Sequence, residues 1–234
     1  MAAIDYYFCN RCGSKCFYDE CEEGYPTVRH QKGKNMNILN LYAGLGGNRA
    51  LWSDDHKITA VEIDPEIAKA YSDRFPNDTV IVGDAHKYLL ENYEQFDFIW
   101  TSPPYPTHGQ FRYNVGVKAK GYKGLYPDMR LYEEIIFLQY HAQKKWIVEN
   151  TISYYLPLIE PQKVARHYLW ANFKIPNFKI PTAGIRNKNK ISDWETELEI
   201  SLDRYEISNK RQVLRNCVSQ NLGLHVLEKS QVAN

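Results

Sequence analysis

Thr101-Ser102-Pro103-Pro104-Tyr105 directly follows the apolar run Phe96-Asp97-Phe98-Ile99-Trp100. Two consecutive prolines can neither continue a central strand nor enter a helix interior. Pro103 is restricted further because it precedes a proline. The chain therefore leaves a buried strand as a stiff, extended loop. Its carbonyls have no ladder partners, and an aromatic ring stands beside them. Such a loop suits a flat base with an exocyclic amino group: the ring stacks on the base, while fixed carbonyl oxygens accept the amino hydrogens. The competing reading is an ordinary proline-rich turn, and short motifs alone do not separate the two.

Three further groups fall at regular intervals upstream. Tyr42-Ala43-Gly44-Leu45-Gly46-Gly47 follows the apolar stretch that begins at Asn37. Glycines let the backbone approach a ligand, and a helix opening behind the turn offers free N–H donors. The spacing is neither the dinucleotide G-x-G-x-x-G nor a phosphate loop with its Lys-Ser/Thr. Val61-Glu62-Ile63-Asp64 lies 18 residues beyond Gly44. A carboxylate there can accept both ribose hydroxyls of an adenosine, as in other doubly wound folds. Glu62 is the better candidate, since Asp64 can cap the helix that starts at Pro65. Gly83-Asp84-Ala85 comes third, with Asp84 able to accept from an adenine amino group.

The elements that must position these groups alternate. The pattern predicts strands at 37–42, 57–63, 78–82, 96–101 and 145–149. Helices are predicted from Asn48 to Ser53 and over 65–74, 86–93 and 131–142. Pro65 stands at a first helical position, where its missing N–H costs nothing. Strands separated by helices of this length imply a mostly parallel sheet covered on both faces. The Gly loop, the two acids and the Ser-Pro-Pro-Tyr loop would then open at the carboxyl ends of neighbouring strands, where such folds bind ligands. Further on, 161–171 reads as a helix, 197–202 as a strand and 208–227 as an amphipathic helix opened by a Ser cap.

The 234 residues suffice for one α/β domain with an appendage. A net charge of +1 gives no global signal for nucleic acid. Any polyanion site needs local clusters, such as Lys118–Lys123 with Arg112 nearby, or Arg186–Lys190. The absence of an apolar run near 18 residues or a leader pattern leads to the expectation of a soluble, cytoplasmic protein of prokaryotic or phage type. Residues 1–34 are polar and hold four of the five cysteines: Cys9, Cys12, Cys16 and Cys21. Four thiolates can hold a structural zinc, with His30 able to replace one; free thiols in a loose segment are the alternative. Cys217 reads as a small buried apolar residue.

Taken together, the Gly loop, the acids and Ser102-Pro103-Pro104-Tyr105 resemble the motifs of S-adenosylmethionine-dependent DNA methyltransferases, cofactor half first. Lys145-Trp-Ile-Val-Glu149-Asn150-Thr151 resembles the Glu-Asn-Val element of the cytosine carbon-5 enzymes. Arg211-Gln212-Val-Leu-Arg-Asn216-Cys-Val218 resembles their C-terminal element, which folds back on the cofactor pocket. The resemblance implies a doubly wound, mostly parallel seven-stranded sheet of Rossmann-like type over 35–227, after the small Cys-rich segment 1–34. Residues 152–210 would form a reduced target-recognition region. It implies S-adenosylmethionine bound by Tyr42, Ala43, Gly44, Leu45, Gly46, Gly47, Glu62, Ile63, Asp84, Ala85 and Asn216, and double-stranded DNA as partner. Two departures matter. Carbon-5 enzymes carry Pro-Pro-Cys where this chain has Tyr105, and a phenol is a poor nucleophile at neutral pH. The family's Gly in the last element is Arg215 here. The expectation is a carbon-5-like scaffold with amino-methyltransferase chemistry on a flipped base, catalysed by Ser102, Pro103, Pro104, Tyr105 and Glu149, with cytosine N4 ahead of adenine N6. RNA or protein amino-methylation and a non-catalytic nucleic-acid-binding relative are the other classes.

Overall fold

A computed structural model describes residues 6–8, 15–17, 35–177 and 190–232. The chain divides into two compact units, Met1–Lys34 and Asn35–Asn234. In the first, β1 (Tyr6–Phe8) and β2 (Lys15–Phe17) pair antiparallel, with Tyr7 opposite Cys16. Cys9, Cys12, Cys21 and His30, named above as zinc ligands, lie outside the described residues.

The second unit is built on β3 (Asn37–Leu41), β4 (Lys57–Glu62), β5 (Thr79–Val82), β6 (Phe98–Thr101), β7 (Lys145–Thr151), β8 (Gln162–Val164) and β9 (His167–Ala171). The sheet order is β5-β4-β3-β6-β7-β9-β8. Pairings from β5 through β7 are parallel; β9 runs antiparallel to β7, and β8 to β9. This is the α/β, doubly wound, seven-stranded sheet expected. All four residues of β6 are buried, as are the last four of β3, because helices cover both faces. Alternation assigns the faces. Leu39 and Leu41 pack with α2 (Ala85–Asn92) and α3 (Arg130–His141) through Leu89, Leu131, Ile135 and Leu138. Ile38 points the other way, into a cluster with Leu222, Val226 and Leu227 of α6 (Gln220–Ser230).

The chain steps outward from β3 to β5, then returns to β6 beside β3. That reversal makes a crevice at the carboxyl ends of β3 and β6. Helix α1 (Pro65–Arg74) begins as expected: Pro65 leads, and Asp64 accepts from the backbone N–H groups of Glu66 and Ile67.

Four expectations are corrected. Residues 161–171 are the β8–β9 hairpin, turned at Ala165 (φ +51). A short apolar run is ambiguous by periodicity, and pairing with the edge of β7 decides it here. Residues 197–202 form no strand: α4 (Ile191–Leu198) ends at Glu199 in the left-handed region. Leu202, Tyr205 and Ile207 then pack with Leu45, Ala70 and Trp194 rather than joining the sheet. The helix predicted over 208–227 is two, α5 (Lys210–Asn216) and α6, and the cap of the first is Asn209. Asn48–Ser53 is a chain of turns, with Arg49, Ala50 and Trp52 each bonding three residues back. No helix among the described residues is long and apolar enough to cross a membrane.

Candidate active site

The carboxyl end of β3 runs into the Gly loop. Tyr42, Gly44 and Gly46 all adopt positive φ, at 54°, 55° and 71°. At Gly46 a Cβ would lie 2.3 Å from the Phe75 ring, so only glycine fits. A Cβ on Gly47 would lie 2.3 Å from the Val218 carbonyl oxygen, which places the C-terminal element directly behind the loop. Ala43 and Leu45 are buried and anchor the loop to the core.

Glu62, at the end of β4, is 9% exposed. Its Oε2 accepts from the Gly44 N–H at 2.9 Å, and its Oε1 accepts from Ile63 and Asp64 at 2.9 and 3.0 Å. The acid and the Gly loop are thus joined directly. Beside them two apolar side chains stand bare, Ile63 at 68% exposed and Val82, at the end of β5, at 56%. Asp84 is exposed and caps α2, accepting from the His86 and Lys87 N–H groups; Ala85 is buried behind it.

The Ser-Pro-Pro-Tyr loop leaves β6 next to β3. The Trp100 indole N–H donates to Ser102 Oγ at 2.8 Å. The Pro103 carbonyl accepts from Asn150 Nδ2 at 3.0 Å. Pro104 is exposed. Tyr105 is half-buried, and its hydroxyl donates to Asn216 Oδ1 of α5, which also accepts from Gln212 Nε2 at 2.7 Å. Burial pushes the Tyr105 phenol above its usual range. Beyond Tyr105, the His108 N–H and the Gly109 N–H both return to the Tyr105 carbonyl, and Gly109 bridges to Ser153. A π-helical turn over Arg112–Ala119 follows, with Tyr113 stacked on Tyr154 at 4.3 Å and Lys118 over the Tyr113 ring. The first basic cluster therefore follows the Ser-Pro-Pro-Tyr loop; of the second, Arg186–Asn189 lie outside the described residues.

Glu149 is buried in β7, and its Oε1 meets His167 Nδ1 of β9 at 2.6 Å. His167 escapes sequence reading because its segment looks helical there. Asn150 and Gln212 sit inside the quoted motifs but had no assigned part. Cys217 follows Asn216; burial pushes its thiol up to about 11, so it is protonated at neutral pH. Among the described residues no group of three or more His, Cys, Asp or Glu is arranged to hold a metal.

Residues 36–129 match the family of C-5 cytosine-specific DNA methylases. The matched stretch holds the Gly loop, Glu62, Asp84 and Ser102–Tyr105, and ends before Glu149 and Asn216. No curated protein sequence matches the chain. Among solved structures, it is similar to a hypothetical protein of Thermus thermophilus, at 20% identity over 59% of this chain and 75% of that one, with a TM-score of 0.37. It is also similar to an SAM-dependent methyltransferase of Agrobacterium tumefaciens, at 14% identity over 52% and 40%, TM-score 0.36. A putative DNA modification methyltransferase encoded within an E. coli prophage shares 22% identity over 51% and 33%, TM-score 0.31. Likenesses this distant carry no function across.

Proposed function

We propose that the chain is an S-adenosylmethionine-dependent methyltransferase acting on an exocyclic amino group of a base in double-stranded DNA, with cytosine N4 favoured. The observation that carries this reading is a juxtaposition. The Gly44–Glu62 contact and the Ser-Pro-Pro-Tyr loop emerge from neighbouring strands at one carboxyl edge, at the reversal of the sheet. The family match over 36–129 covers both.

The residues fit the cofactor. Glu62 is a carboxylate for ribose hydroxyls, Ile63 and Val82 offer bare apolar surface for the adenine faces, and Asp84 stands beside them for its amino edge. The Gly loop brings backbone close, with no Cβ at Gly44, Gly46 or Gly47. When bound, S-adenosylmethionine supplies an electrophilic methyl group on sulfur. On the other side of the crevice, Tyr105 stacks on the flipped base. Ser102 Oγ uses one lone pair on Trp100, and the Pro103 carbonyl one on Asn150. Each keeps a second lone pair for an amino hydrogen. Holding both hydrogens orients the nitrogen lone pair away from the ring plane, so much of the rate comes from positioning. Glu149, fixed by His167, faces the pyrimidine edge. The basic run Lys118–Lys123, with Arg112, supplies local positive charge for phosphates.

One observation favours a second reading. The matched family methylates carbon 5, and that chemistry needs a thiolate. Tyr105 stands at the family's cysteine position, and Cys217 is protonated at neutral pH. The amino reading is therefore preferred. The test is to methylate duplex DNA with isotope-labelled S-adenosylmethionine, digest it to nucleosides and identify the product by mass spectrometry. N4-methylcytosine is expected. N6-methyladenine would keep the chemistry and change the base. Recovery of 5-methylcytosine would overturn the amino reading, and label on RNA or protein alone would overturn DNA as substrate.

A further inference from the structure

A buried carboxylate stands outside every group assigned so far. Glu134 lies on the inward face of α3, beside Leu131, Ile135 and Leu138, with its side chain fully buried. A charge in such a place is costly unless its oxygens are satisfied. Both are. Oε1 accepts from the Tyr42 hydroxyl at 2.6 Å and faces His86 Nδ1 at 3.1 Å; Oε2 accepts from Thr101 Oγ1 at 2.6 Å. His86 Nε2 continues to Glu133 at 3.4 Å, and Arg130 and Asp84 are the other charged groups acting on Tyr42.

The three partners come from three separate segments, and each adjoins the crevice. Tyr42 opens the Gly loop. Thr101 immediately precedes Ser102. His86 is two residues beyond Asp84. Packing alone does not require a carboxylate here, since leucine would fill an apolar helix face. What a carboxylate adds is one buried acceptor that ties side chains of both loops and of α2 to a single group, beyond the backbone pairing of Leu41 with Thr101. We infer that Glu134 is a positioning residue, which holds the cofactor loop after β3 and the catalytic loop after β6 at the separation methyl transfer needs. Because the inference rests on the methyltransferase reading, it has its own test.

Glu134→Leu removes all three bonds at once, and because it leaves the Tyr42 and Thr101 hydroxyls and His86 without their acceptor it is also expected to cost stability. Glu134→Gln keeps the shape and removes the charge, and serves if the leucine variant does not fold. Urea melts establish that the variant is folded. Calorimetry with S-adenosylmethionine and steady-state methylation of duplex DNA then give affinity, kcat and KM separately. The expected result is a loss of about tenfold or more in cofactor affinity and a fall in kcat, with the KM for DNA little changed. Tyr42→Phe and Thr101→Val should each lose part of this in the wild-type background and nothing further in Glu134→Leu, since residues acting through one partner are not additive. A folded Glu134 variant with affinity and kcat within about twofold of wild type would overturn the inference alone. Wild-type protein that binds no S-adenosylmethionine would overturn the methyltransferase reading, and this inference with it.

Discussion

Tyr105 has two separable parts. Its half-buried ring is the part that would stack on a base, while its hydroxyl is tied to Asn216 and accepts from Gln212 Nε2 at 3.4 Å. Tyr105→Phe keeps the ring and removes a neutral hydrogen bond to Asn216, worth roughly 0.5–1.5 kcal/mol, together with the long one from Gln212. Turnover should fall by a few-fold to about tenfold. Tyr105→Ala also removes stacking worth roughly 1–3 kcal/mol per base, so kcat/KM should fall much further. Equal losses in the two variants would mean that the hydroxyl, not the ring, matters. Glu62 poses the opposite question, because three backbone N–H groups already occupy it. As a ribose acceptor, Glu62→Ala should weaken S-adenosylmethionine binding about tenfold or more, at roughly 1.5–3 kcal/mol for a bond to a charged acceptor. Unchanged affinity by calorimetry would leave Glu62 as a brace for the Gly loop only.

Packing of α6 against the Gly loop is an element-scale property, and Gly223 carries it. A Cβ there would lie 2.0 Å from the Asn48 backbone oxygen, so the helix must move as a body. Gly223→Ala should therefore destabilise, by roughly 1–3 kcal/mol as for other overpacked contacts, despite alanine's better helix propensity. A raised urea midpoint would contradict it. This contact was not legible in the sequence: 208–227 reads as one amphipathic helix, and nothing in its period marks the break at Cys217–Ser219. What was legible were the elements whose neighbours are close in the chain. The central strands are near-continuous apolar runs, and Asp64-Pro65 announces its helix. The β8–β9 hairpin was lost because Tyr168-Leu169-Trp170 becomes a strand only through pairing with β7, a partner distant in sequence. His167 was lost with it. Glu134 escaped for a related reason: on a helical wheel its place on the buried face looks like an error in the pattern, and its three partners are scattered over the chain.

At the scale of the whole molecule, two properties remain to be predicted. Residues 1–34 form their own unit, and a Cys9, Cys12, Cys16, Cys21 site should bring about one zinc per chain. Elemental analysis of protein never exposed to chelator, finding none, would end that expectation. The second property is acid stability, where three histidines of the larger unit pull in different directions. Burial lowers the pKa of His108, whose ring sits between the Tyr155 hydroxyl and the Asp128 carbonyl. Burial also lowers that of His56, whose Nδ1 accepts from the Met36 N–H. The bond to Glu134 raises that of His86. A histidine lowered in the fold takes up its proton more readily when unfolded, so stability is full above about 6.5, the ordinary value, and is lost as pH falls below it. A raised histidine does the reverse: its contribution is full below about 6.5 and disappears as pH rises through the folded value. Wild type should thus lose stability between about pH 6.5 and about pH 5 through His56 and His108, while the His86 contribution is constant there and is lost only as pH rises above about 6.5. His108→Gln should flatten the urea midpoint against pH in that window, and His86→Gln should remove a fall in the midpoint as pH rises above about 6.5. If each variant runs parallel to wild type in its own window, these two rings do not differ in protonation between the folded and unfolded chain, and the hydrogen bonds assigned to them do not set their charge.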